Sequence, residues 1–552
     1  MIADIHITEK SFGDKTLMKD VKFSVDDGEK VGVVGRNGVG KSTLFGILSG
    51  KDTDYTGEVI FRRGITIATT AQEYHGLGEQ TVMAYILSGL PEYSKLKKII
   101  DEYPLTMGDN MRKIEEYTQA LERFDQKGFY QVEEKIDREL MNFQLEGFGN
   151  RKISSLSGGQ KRLVEIVKIM HSEAHLALID EPTNHMDYVA KQQFIDWMNS
   201  QPHQAMLIIT HDRDVLGQVD RIVEIKDGQA VSYRGNYDAY LKQNAQATTA
   251  GMNNFEQIEK RIVNLKQKVL DYQRLKEKSR NPGTIQKFKR LENEARAELA
   301  ELSEMEKPTF WIDKESASQL DYKSAERYGK FKSRNIRLSM KDASSRSQHV
   351  LVRAENVTVG IGERILFEDV NIDLREGEAI EIRGRNGAGK TTLIRMILAS
   401  GKSFDGGPIL YSGDIFLDPQ VRIGVYEQEI DERYLSDPLE KAIEKLYMSR
   451  DLSISDTKIR QLLADYLFTD ADRMTPLARL SGGQKARFQI IAMLANDPQL
   501  LVLDEPTNHL DLPSIEELET ALAKYSGAIL YVSHDNYFRE KLGGKVVQIG
   551  AE

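Results

Sequence analysis

One set of motifs occurs twice in this chain of 552 residues, and this repeat most constrains its fold. GRNGVGKST begins at Gly35 and GRNGAGKTT begins at Gly384. Each is followed by an LSGGQ, and 24 residues after the start of each LSGGQ stands DEPTNHMD or DEPTNHLD. Motifs repeated in a fixed order indicate two copies of one domain. We therefore predict one domain over 1–243 and a second over 350–552.

The segment 244–349 joins the two copies, and its apolar residues recur every three or four positions. This is the spacing of a coiled coil, and Asn281-Pro282-Gly283 is a turn signal within it. A flexible tether would instead be rich in Gly and Ser. We therefore predict an antiparallel helical hairpin. Its predicted seam is formed by Phe255, Ile258, Ile262, Leu265, Val269 and Tyr272 on the first helix and by Phe288, Leu291, Ala295, Leu299, Leu302 and Met305 on the second.

The first copy also carries an insertion. Between Gln72 and its LSGGQ it has 32 more residues than the second copy has after Gln428. The extra residues fall near 88–130, a polar and charged stretch rich in helix formers. We predict a helical arm that projects from the first copy.

Composition points to the cytoplasm. The chain has no cysteine, which excludes disulfides and Cys-ligated metal sites and suits a reducing compartment. No apolar run approaches the roughly 20 residues that cross a bilayer. The N-terminus lacks a basic region followed by an apolar stretch, so no secretory signal is expected.

Charge is unevenly distributed along the chain. The formal net charge is −10, yet 274–290 has seven Lys/Arg against one Glu. The stretch 322–346 has eight Lys/Arg against two acids. Such basic islands in an acidic protein could bind phosphate groups, or they could be solvated helix faces.

The two glycine-rich motifs fit G-x-x-x-x-G-K-[ST], and each follows an apolar, strand-like run. Backbone N–H groups of such a turn and the following helix N-terminus bind phosphate. Lys41 and Lys390 are predicted to contact the β and γ phosphates, and Ser42 and Thr391 to bind Mg²⁺. The other predicted ATP-binding residues of these loops are Gly35, Asn37, Gly38, Gly40, Thr43, Gly384, Asn386, Gly387, Gly389 and Thr392.

LALIDE and LLVLDE are apolar runs that end in paired acids, as expected of buried parallel strands. Asp180 and Asp504 are predicted to hold Mg²⁺ through water. Glu181 and Glu505 are placed to polarise the attacking water. One such run alone would be an ordinary strand end, but the fixed distance from LSGGQ in both copies favours the catalytic reading.

A histidine follows a further apolar run in each copy, His211 after AMLIIT and His534 after AILYVS. A single histidine at such a position would more often be structural. Two at matching positions are predicted to contact the γ-phosphate.

Together these motifs resemble the ATP-binding cassette superfamily over nearly all of both repeats. The resemblance implies an α/β protein with two ABC-type P-loop ATPase domains joined by a long antiparallel coiled-coil hairpin. It also implies that the LSGGQ of one cassette completes the ATP site of the other. Ser481 and Gly483 would complete the site of Lys41, and Ser157 and Gly159 the site of Lys390. The predicted nucleotide contacts are Ser157, Gly158, Gly159, Gln160, Ser481, Gly482, Gly483 and Gln484.

The resemblance extends to residues outside these motifs. Gln72 and Gln428 are predicted to serve both catalysis and the metal. Phe12 is predicted to stack on adenine, whereas the equivalent position of the second copy is Ile361, which departs from the family pattern. Both sites are still predicted to hydrolyse ATP, with ATP and Mg²⁺ as the cofactors.

Three features together resemble the ABC-F family, soluble tandem cassettes that act on ribosomes. They are the full motif set at both sites, the EPTNHMD and EPTNHLD sequences, and the helical linker. The resemblance implies a monomer that binds ribosomal RNA, exit-site or peptidyl-site tRNA, and ribosomal protein near the exit site. The tip near 274–290 would contact RNA phosphates through Lys276, Lys278, Arg280, Lys287, Lys289 and Arg290.

Several functions stay open at this point. Within the family, a housekeeping translation factor competes with an antibiotic-resistance protein, which the long segment from Pro308 to Ser347 slightly favours. Outside it, the chain could be the ATPase of a transporter with separate membrane subunits. A DNA-repair ATPase is a third possibility, because a basic hairpin can also bind DNA.

Overall fold

A computed structural model of the chain forms two compact units, Met1–Tyr237 with Ile336–Glu552 and Asp238–Asn335. Each unit is described by itself. The described residues are 1–13, 15–70, 78–108, 110–184, 186–303, 305, 307–318, 320, 322–338, 349–362, 364–402, 407–427 and 430–550.

The first cassette alternates strands and helices. Its strands are β1 (Ala3–Phe12), β2 (Lys15–Val25), β3 (Lys30–Gly35), β4 (Thr56–Phe61), β5 (Ile67–Thr69), β6 (Leu176–Asp180), β7 (Ala205–Ile209), β8 (Arg221–Lys226) and β9 (Gln229–Arg234). Its α-helices are α1 (Lys41–Leu48), α2 (Val82–Leu87), α3 (Pro91–Thr106), α4 (Met111–Gln126), α5 (Val132–Asn142), α6 (Gly158–His171), α7 (Tyr188–Ser200) and α8 (Arg213–Leu216).

Two sheets organise the described part of the first cassette. Strands β2, β1 and β4 form an antiparallel sheet, and β5-β6-β7-β3-β8-β9 form a larger one that is parallel except for β9. Every residue of β6 and β7 is buried, because both faces of a parallel sheet are covered. The P-loop follows β3 and the paired acids end β6, so the carboxyl ends of these strands define the site.

The second cassette repeats this plan. Strands β10 (Val350–Ile361), β11 (Arg364–Arg375) and β13 (Ile409–Leu417) form one sheet. The other has the order β14-β15-β16-β12-β17, from β12 (Ala379–Arg383), β14 (Ile423–Tyr426), β15 (Leu500–Asp504), β16 (Ala528–Val532) and β17 (Lys545–Gln548). Its α-helices are α13 (Lys390–Leu398), α14 (Glu432–Leu435), α15 (Leu439–Met448), α16 (Asp456–Asp465), α17 (Asp470–Arg473), α18 (Gly482–Leu494), α19 (Leu512–Ala523) and α20 (Asn536–Leu542).

The insertion near 88–130 contains the helices α3 and α4. They are held together by aromatic packing at one end, where the ring centroids of Tyr93 and Phe124 lie 5.6 Å apart. Arg123 also forms a 3.0 Å ion pair with Glu92. The opposite end exposes Leu105, at 86%.

The second unit consists of helices. They are α9 (Tyr237–Lys278), α10 (Pro282–Ser303), α11 (Lys314–Ser318) and α12 (Tyr322–Phe331). The predicted seam forms in its middle, where Leu265, Val269 and Ala295 are buried together. The rings of Tyr272 and Phe288 stack at 6.4 Å.

Three details of the linker differ from the sequence interpretation. The first helix begins at Tyr237, before the predicted start of the linker at 244. Phe255 packs against Phe331 of α12, at 5.7 Å between ring centroids, in a separate small core. Met305 is 51% exposed, because α10 ends at Ser303. The fold class is nevertheless as predicted, with two ABC-type α/β cassettes and a long helical hairpin.

Candidate active site

Both P-loops turn sharply into a helix at a glycine with a left-handed backbone. Gly40 has φ +104° and Gly389 has φ +98°. A Cβ at Gly40 would approach the Leu17 side chain to 2.8 Å, and one at Gly389 would approach the Phe367 ring to 3.0 Å. Glycine is therefore required twice over, by conformation and by space.

The lysine of each loop lies under its own loop backbone. Lys41 Nζ donates to the carbonyl of Gly35 at 2.6 Å, and Lys390 Nζ donates to that of Gly384 at 2.8 Å. Burial lowers the pKa of both lysines, and the neighbouring carboxylates oppose this shift. Each ammonium group is thus held at the concave side of the loop, where phosphates bind.

A hydroxyl and a carboxylate meet at each predicted metal position. Ser42 Oγ donates to Asp180 Oδ2 at 3.1 Å, and Thr391 Oγ1 donates to Asp504 Oδ2 at 2.7 Å. Mg²⁺ prefers such oxygen ligands and usually keeps several waters, so it needs few protein groups beside substrate phosphates. The oxygen pairs fit this ion. The described residues contain no group of three or more His, Cys, Asp or Glu that could hold a metal alone.

The glutamates that follow these aspartates have an uncommon backbone. Glu181 has φ +47° and Glu505 has φ +52°, a left-handed conformation that is costly outside glycine. The Glu505 side chain is buried, at 8% exposed, whereas that of Glu181 is 21% exposed. Burial raises the pKa of Glu181 to about 8 and that of Glu505 to about 7, and the lysine partly offsets the shift in each case.

The two histidines pack against these glutamates. His211 Nε2 lies 3.6 Å from Glu181 Oε1, and His534 Nε2 lies 3.3 Å from Glu505 Oε1. Burial, followed by the charge of the nearby lysine, lowers the pKa of each histidine to about 3. A neutral imidazole can donate one hydrogen bond to a phosphate oxygen without adding charge.

Each LSGGQ begins a helix with a reciprocal cap. Ser157 Oγ accepts from the backbone N–H of Gln160, whose Oε1 accepts from the backbone N–H of Ser157. Ser481 and Gln484 repeat this arrangement at the start of α18. S-x-x-Q is the sequence of a capping box, so the two glutamines serve as caps in this structure.

The first P-loop shares a cavity of about 450 Å³ with the LSGGQ of the second cassette. The cavity is lined by Lys41, Ser42 and Thr43, and from the other cassette by 481–483. Phe12 stands at its wall, half exposed. The structure therefore brings this predicted pair of motifs together.

The second P-loop lines a cavity of about 380 Å³ whose composition differs. Ile361 occupies the wall position, and Asn184 and Met186 enter from the first cassette. Of the described residues, neither Ser157 nor Gly158 is among those lining it. Among the described residues the second P-loop instead meets the first cassette at Asp187, which accepts from the backbone N–H of Asn386 at 3.2 Å, and the pairing of Ser157 and Gly159 with this site stays a prediction.

Two aspartates that sequence reasoning missed join the cassettes. The backbone N–H of Asn37 donates to Asp511 Oδ2 at 3.1 Å, and that of Asn386 donates to Asp187 Oδ2 at 3.2 Å. Asn37 Nδ2 also donates to the carbonyl of His509 at 2.8 Å. The signal was available, because both aspartates end the repeated DEPTNHxD motif. The predicted residues Gln72 and Gln428 lie outside the described residues.

Comparisons with known proteins extend over the same elements. A family model described as ABC transporter matches residues 18–184 and 367–508, more than half of the chain. The solved structure of the archaeal ribosome recycling factor aABCE1, in complex with the stalk protein aP1, matches 99% of this chain and 87% of its own, with a TM-score of 0.59. At 17% identity this likeness concerns the fold alone.

Curated relatives match almost the whole chain. "ABC transporter F family member 2" of Arabidopsis thaliana is 29% identical over 98% of this chain and 75% of its own length. "Ribosome protection protein VmlR" of Bacillus subtilis is 28% identical over 96% and 83%. "Energy-dependent translational throttle protein EttA" of Mycobacterium tuberculosis is 27% identical over 96% and 88%. Matches of this length include the linker between the cassettes.

Proposed function

The chain belongs to the family described as ABC transporter, whose model matches both cassettes, and we propose that it is an ATP-driven factor acting on the ribosome. It binds and hydrolyses ATP, as the two cassettes of this family do. The full-length likeness to an F-family member agrees with the ABC-F resemblance of the motifs. No helix of the described residues has the length and apolarity required to span a bilayer.

The proposed chemistry is phosphoryl transfer to water at two sites. Lys41 and Lys390 neutralise the β and γ phosphates, and the pairs Ser42–Asp180 and Thr391–Asp504 beside them would hold Mg²⁺. Glu181 and Glu505 accept a hydrogen bond from the attacking water and orient it in line with the γ-phosphate. The bound metal supplies charge neutralisation at the phosphates.

The proposed switch is the closure of the two cassettes on ATP. Asn37 and Asn386 already contact the opposite cassette, at Asp511 and Asp187. A γ-phosphate beside the α18 N-terminus would add its charge to this boundary. Hydrolysis and phosphate release remove that link, so each turnover would free the closed state.

The observation that carries the ribosome assignment is the full-length match to VmlR and EttA, since it spans both cassettes and the linker. The names of these relatives state ribosome protection and translational throttling. The hairpin tip supports the proposal, because Lys278, Arg280 and Lys287 are exposed there. Exposed cations of this kind bind RNA phosphates and release counterions.

The finer parts of the proposal follow from the ABC-F resemblance. The linker would reach the exit-site and peptidyl-transferase region, and contact ribosomal RNA, tRNA and a ribosomal protein near the exit site. The chain would act in the cytoplasm as a monomer that closes on itself.

The test is cosedimentation of the Glu181→Gln/Glu505→Gln protein with ribosomes, with ATP, with ADP and without nucleotide. Removing both water-orienting carboxylates should leave ATP binding intact and trap the closed state. We expect binding with ATP alone, persisting at moderate salt. Absence of binding in all three conditions would refute the ribosome assignment. Copurified membrane proteins would then favour a transporter ATPase, and nuclease-resistant DNA binding a repair ATPase.

A further inference from the structure

Lys191 is a buried cation at the boundary between the cassettes. It lies on α7 of the first cassette, where its side chain is only 6% exposed. Its Nζ donates a 2.6 Å hydrogen bond to Asp214 Oδ2 in the same cassette and a 2.8 Å hydrogen bond to the backbone carbonyl of His534 in the second. A side chain of the first cassette therefore holds the backbone of the second site's histidine.

Neighbouring carboxylates keep this lysine charged and add a second link. Asp214 Oδ2 also accepts from Asn536 Nδ2 at 2.8 Å, two residues beyond His534. Asp212 Oδ2 lies 3.4 Å from Lys191 Nζ. Burial lowers the pKa of Lys191, but the charges of Asp212 and Asp214 outweigh this effect and hold the pKa above its ordinary value. The cation is thus fixed in a low-dielectric boundary where its hydrogen bonds are strong.

A second buried ion pair supports the same boundary without contacting His534. Arg213 Nη1 donates to Glu519 Oε1 at 2.9 Å, and the two side chains are 5% and 4% exposed. The Arg213 guanidinium also lies 5.2 Å from the ring centroid of Tyr537. This pair provides a matched comparison for Lys191, because it joins the cassettes by charge but bonds to neither histidine.

The second copy cannot repeat the Lys191 contact at the first site, because it has different residues at the equivalent positions. An aliphatic side chain stands where Lys191 would have its counterpart, and it cannot donate a hydrogen bond to the carbonyl of His211. The equivalents of Lys191, Asp214, Arg213 and Glu519 in the other copy are Ile515, Tyr537, Asn536 and Ile195.

We propose that Lys191 is a positioning residue for the second ATP site, where it fixes His534 from across the boundary. The backbone N–H of His534 donates to Glu505 Oε2 at 3.2 Å, so holding this backbone also holds the partner of the glutamate. The second site is then competent only while the first cassette is docked against it. The first site has no reciprocal lysine. This inference rests on the proposed catalytic roles of Glu505 and His534.

The test separates the two sites in the full chain. Glu181→Gln leaves the second site working, and Glu505→Gln leaves the first. In the Glu181→Gln background, where only the second site works, Lys191→Met should lower kcat at least tenfold and change the KM for ATP less than twofold. In the Glu505→Gln background, where only the first site works, it should lower kcat less than threefold. Lys191→Arg should restore most of the loss. Glu519→Gln should affect both backgrounds by similar factors. Equal losses from Lys191→Met in both, or no loss in either, would overturn the proposal.

A second readout does not depend on hydrolysis. In the ATP-bound Glu181→Gln/Glu505→Gln protein, Lys191→Met should speed hydrogen–deuterium exchange of the backbone N–H of His534 severalfold, and Glu519→Gln should speed it much less. Unchanged exchange at His534 would overturn the role of Lys191. If each single glutamine variant already lacked activity, the assumption of independent catalytic sites would fail, and the exchange result alone would decide the role of Lys191.

Discussion

Asp511 binds Asn37 across the boundary of the two cassettes while it caps its own helix. Its Oδ2 accepts the backbone N–H of Asn37 at 3.1 Å, and its Oδ1 accepts the backbone N–H of Ser514 at 3.1 Å. Burial raises the pKa of Asp511, but these hydrogen bonds outweigh this effect and hold the pKa below its ordinary value. One carboxylate therefore links the start of α19 to the opposite P-loop.

The two roles of Asp511 can be separated by substitution. Asp511→Asn keeps a good helix cap but loses the second acceptor, so thermal stability should change little. The KM for ATP should rise about tenfold, since a hydrogen bond to a charged acceptor contributes about 1.5–3 kcal/mol. Asp511→Ala should raise KM similarly and also lower the free energy of unfolding by about 1 kcal/mol. Unchanged ATP kinetics in both variants would contradict a cross-cassette role.

The glutamates predict a dependence of ATPase activity on pH. Each must be ionised to act as a charged acceptor that polarises the attacking water, and protonation at low pH removes that charge. Burial raises the pKa of Glu181 to about 8 and that of Glu505 to about 7. Because kcat/KM reports the free enzyme, it should rise with pH through these values.

This prediction is checked with the single glutamine variants. In Glu505→Gln, where Glu181 works, kcat/KM should reach half its maximum near pH 8. In Glu181→Gln the midpoint should lie about one unit lower. The Glu181→Gln/Glu505→Gln double variant gives the residual ATPase activity to subtract from each profile. Profiles that stay flat from about pH 6 to 9 would show that neither carboxyl group titrates in the catalytic step.

Ile361 predicts weaker adenine binding at the second site. An aromatic contact contributes about 0.5–1.5 kcal/mol beyond its area, and an aliphatic residue lacks it. Ile361→Phe in the Glu181→Gln background should therefore lower the KM for ATP about twofold to tenfold. Phe12→Ile in the Glu505→Gln background should raise it by a similar factor. Steady-state kinetics would refute the assignment of these two wall positions if neither substitution moved KM.

The hairpin tip predicts salt-dependent binding to ribosomes. Lys278, Lys287 and Lys289 are exposed at the tip, and their triple substitution by glutamine should weaken cosedimentation. The slope of log affinity against log salt should fall by up to about 2–3, as roughly 0.7–0.9 is lost for each phosphate contact. The matched control replaces the exposed stem residues Lys260, Lys266 and Lys268 by glutamine. Equal effects of the two triples would argue against a specific role for the tip.

The sequence alone predicts the position of a residue best where that position depends on local spacing. A P-loop places Lys41 and Ser42 by its own backbone, so nine consecutive residues predict both positions. The seam of the hairpin was equally accessible, because Leu265 and Ala295 follow a fixed helical period. Phe255 does not join the seam. It packs instead against Phe331 of α12, which lies 76 residues away in the sequence.

Contacts between the two cassettes were harder to predict from the sequence. Nothing local distinguishes Lys191 from any lysine on a helix, and its role depends on a carbonyl 343 residues away. Asp511 could be noticed because it ends a repeated motif. Its hydrogen bond from the backbone N–H of Asn37, however, exists only when the opposite P-loop is in place. Likewise, the pairing of each LSGGQ with the opposite P-loop came from the family resemblance, and the structure adds that Ser481 lines the cavity of the first P-loop.

The Arg213–Glu519 pair also determines which domains can associate. In a dimer of two first cassettes, each Arg213 would face Ile195 and remain buried without a carboxylate. In a dimer of two second cassettes, each Glu519 would face Asn536 and lose its cation. An unpaired buried charge costs about 3–5 kcal/mol, so both like-with-like dimers are disfavoured against the mixed one. After duplication, the two halves of this chain have thus become partners that recognise each other in preference to themselves.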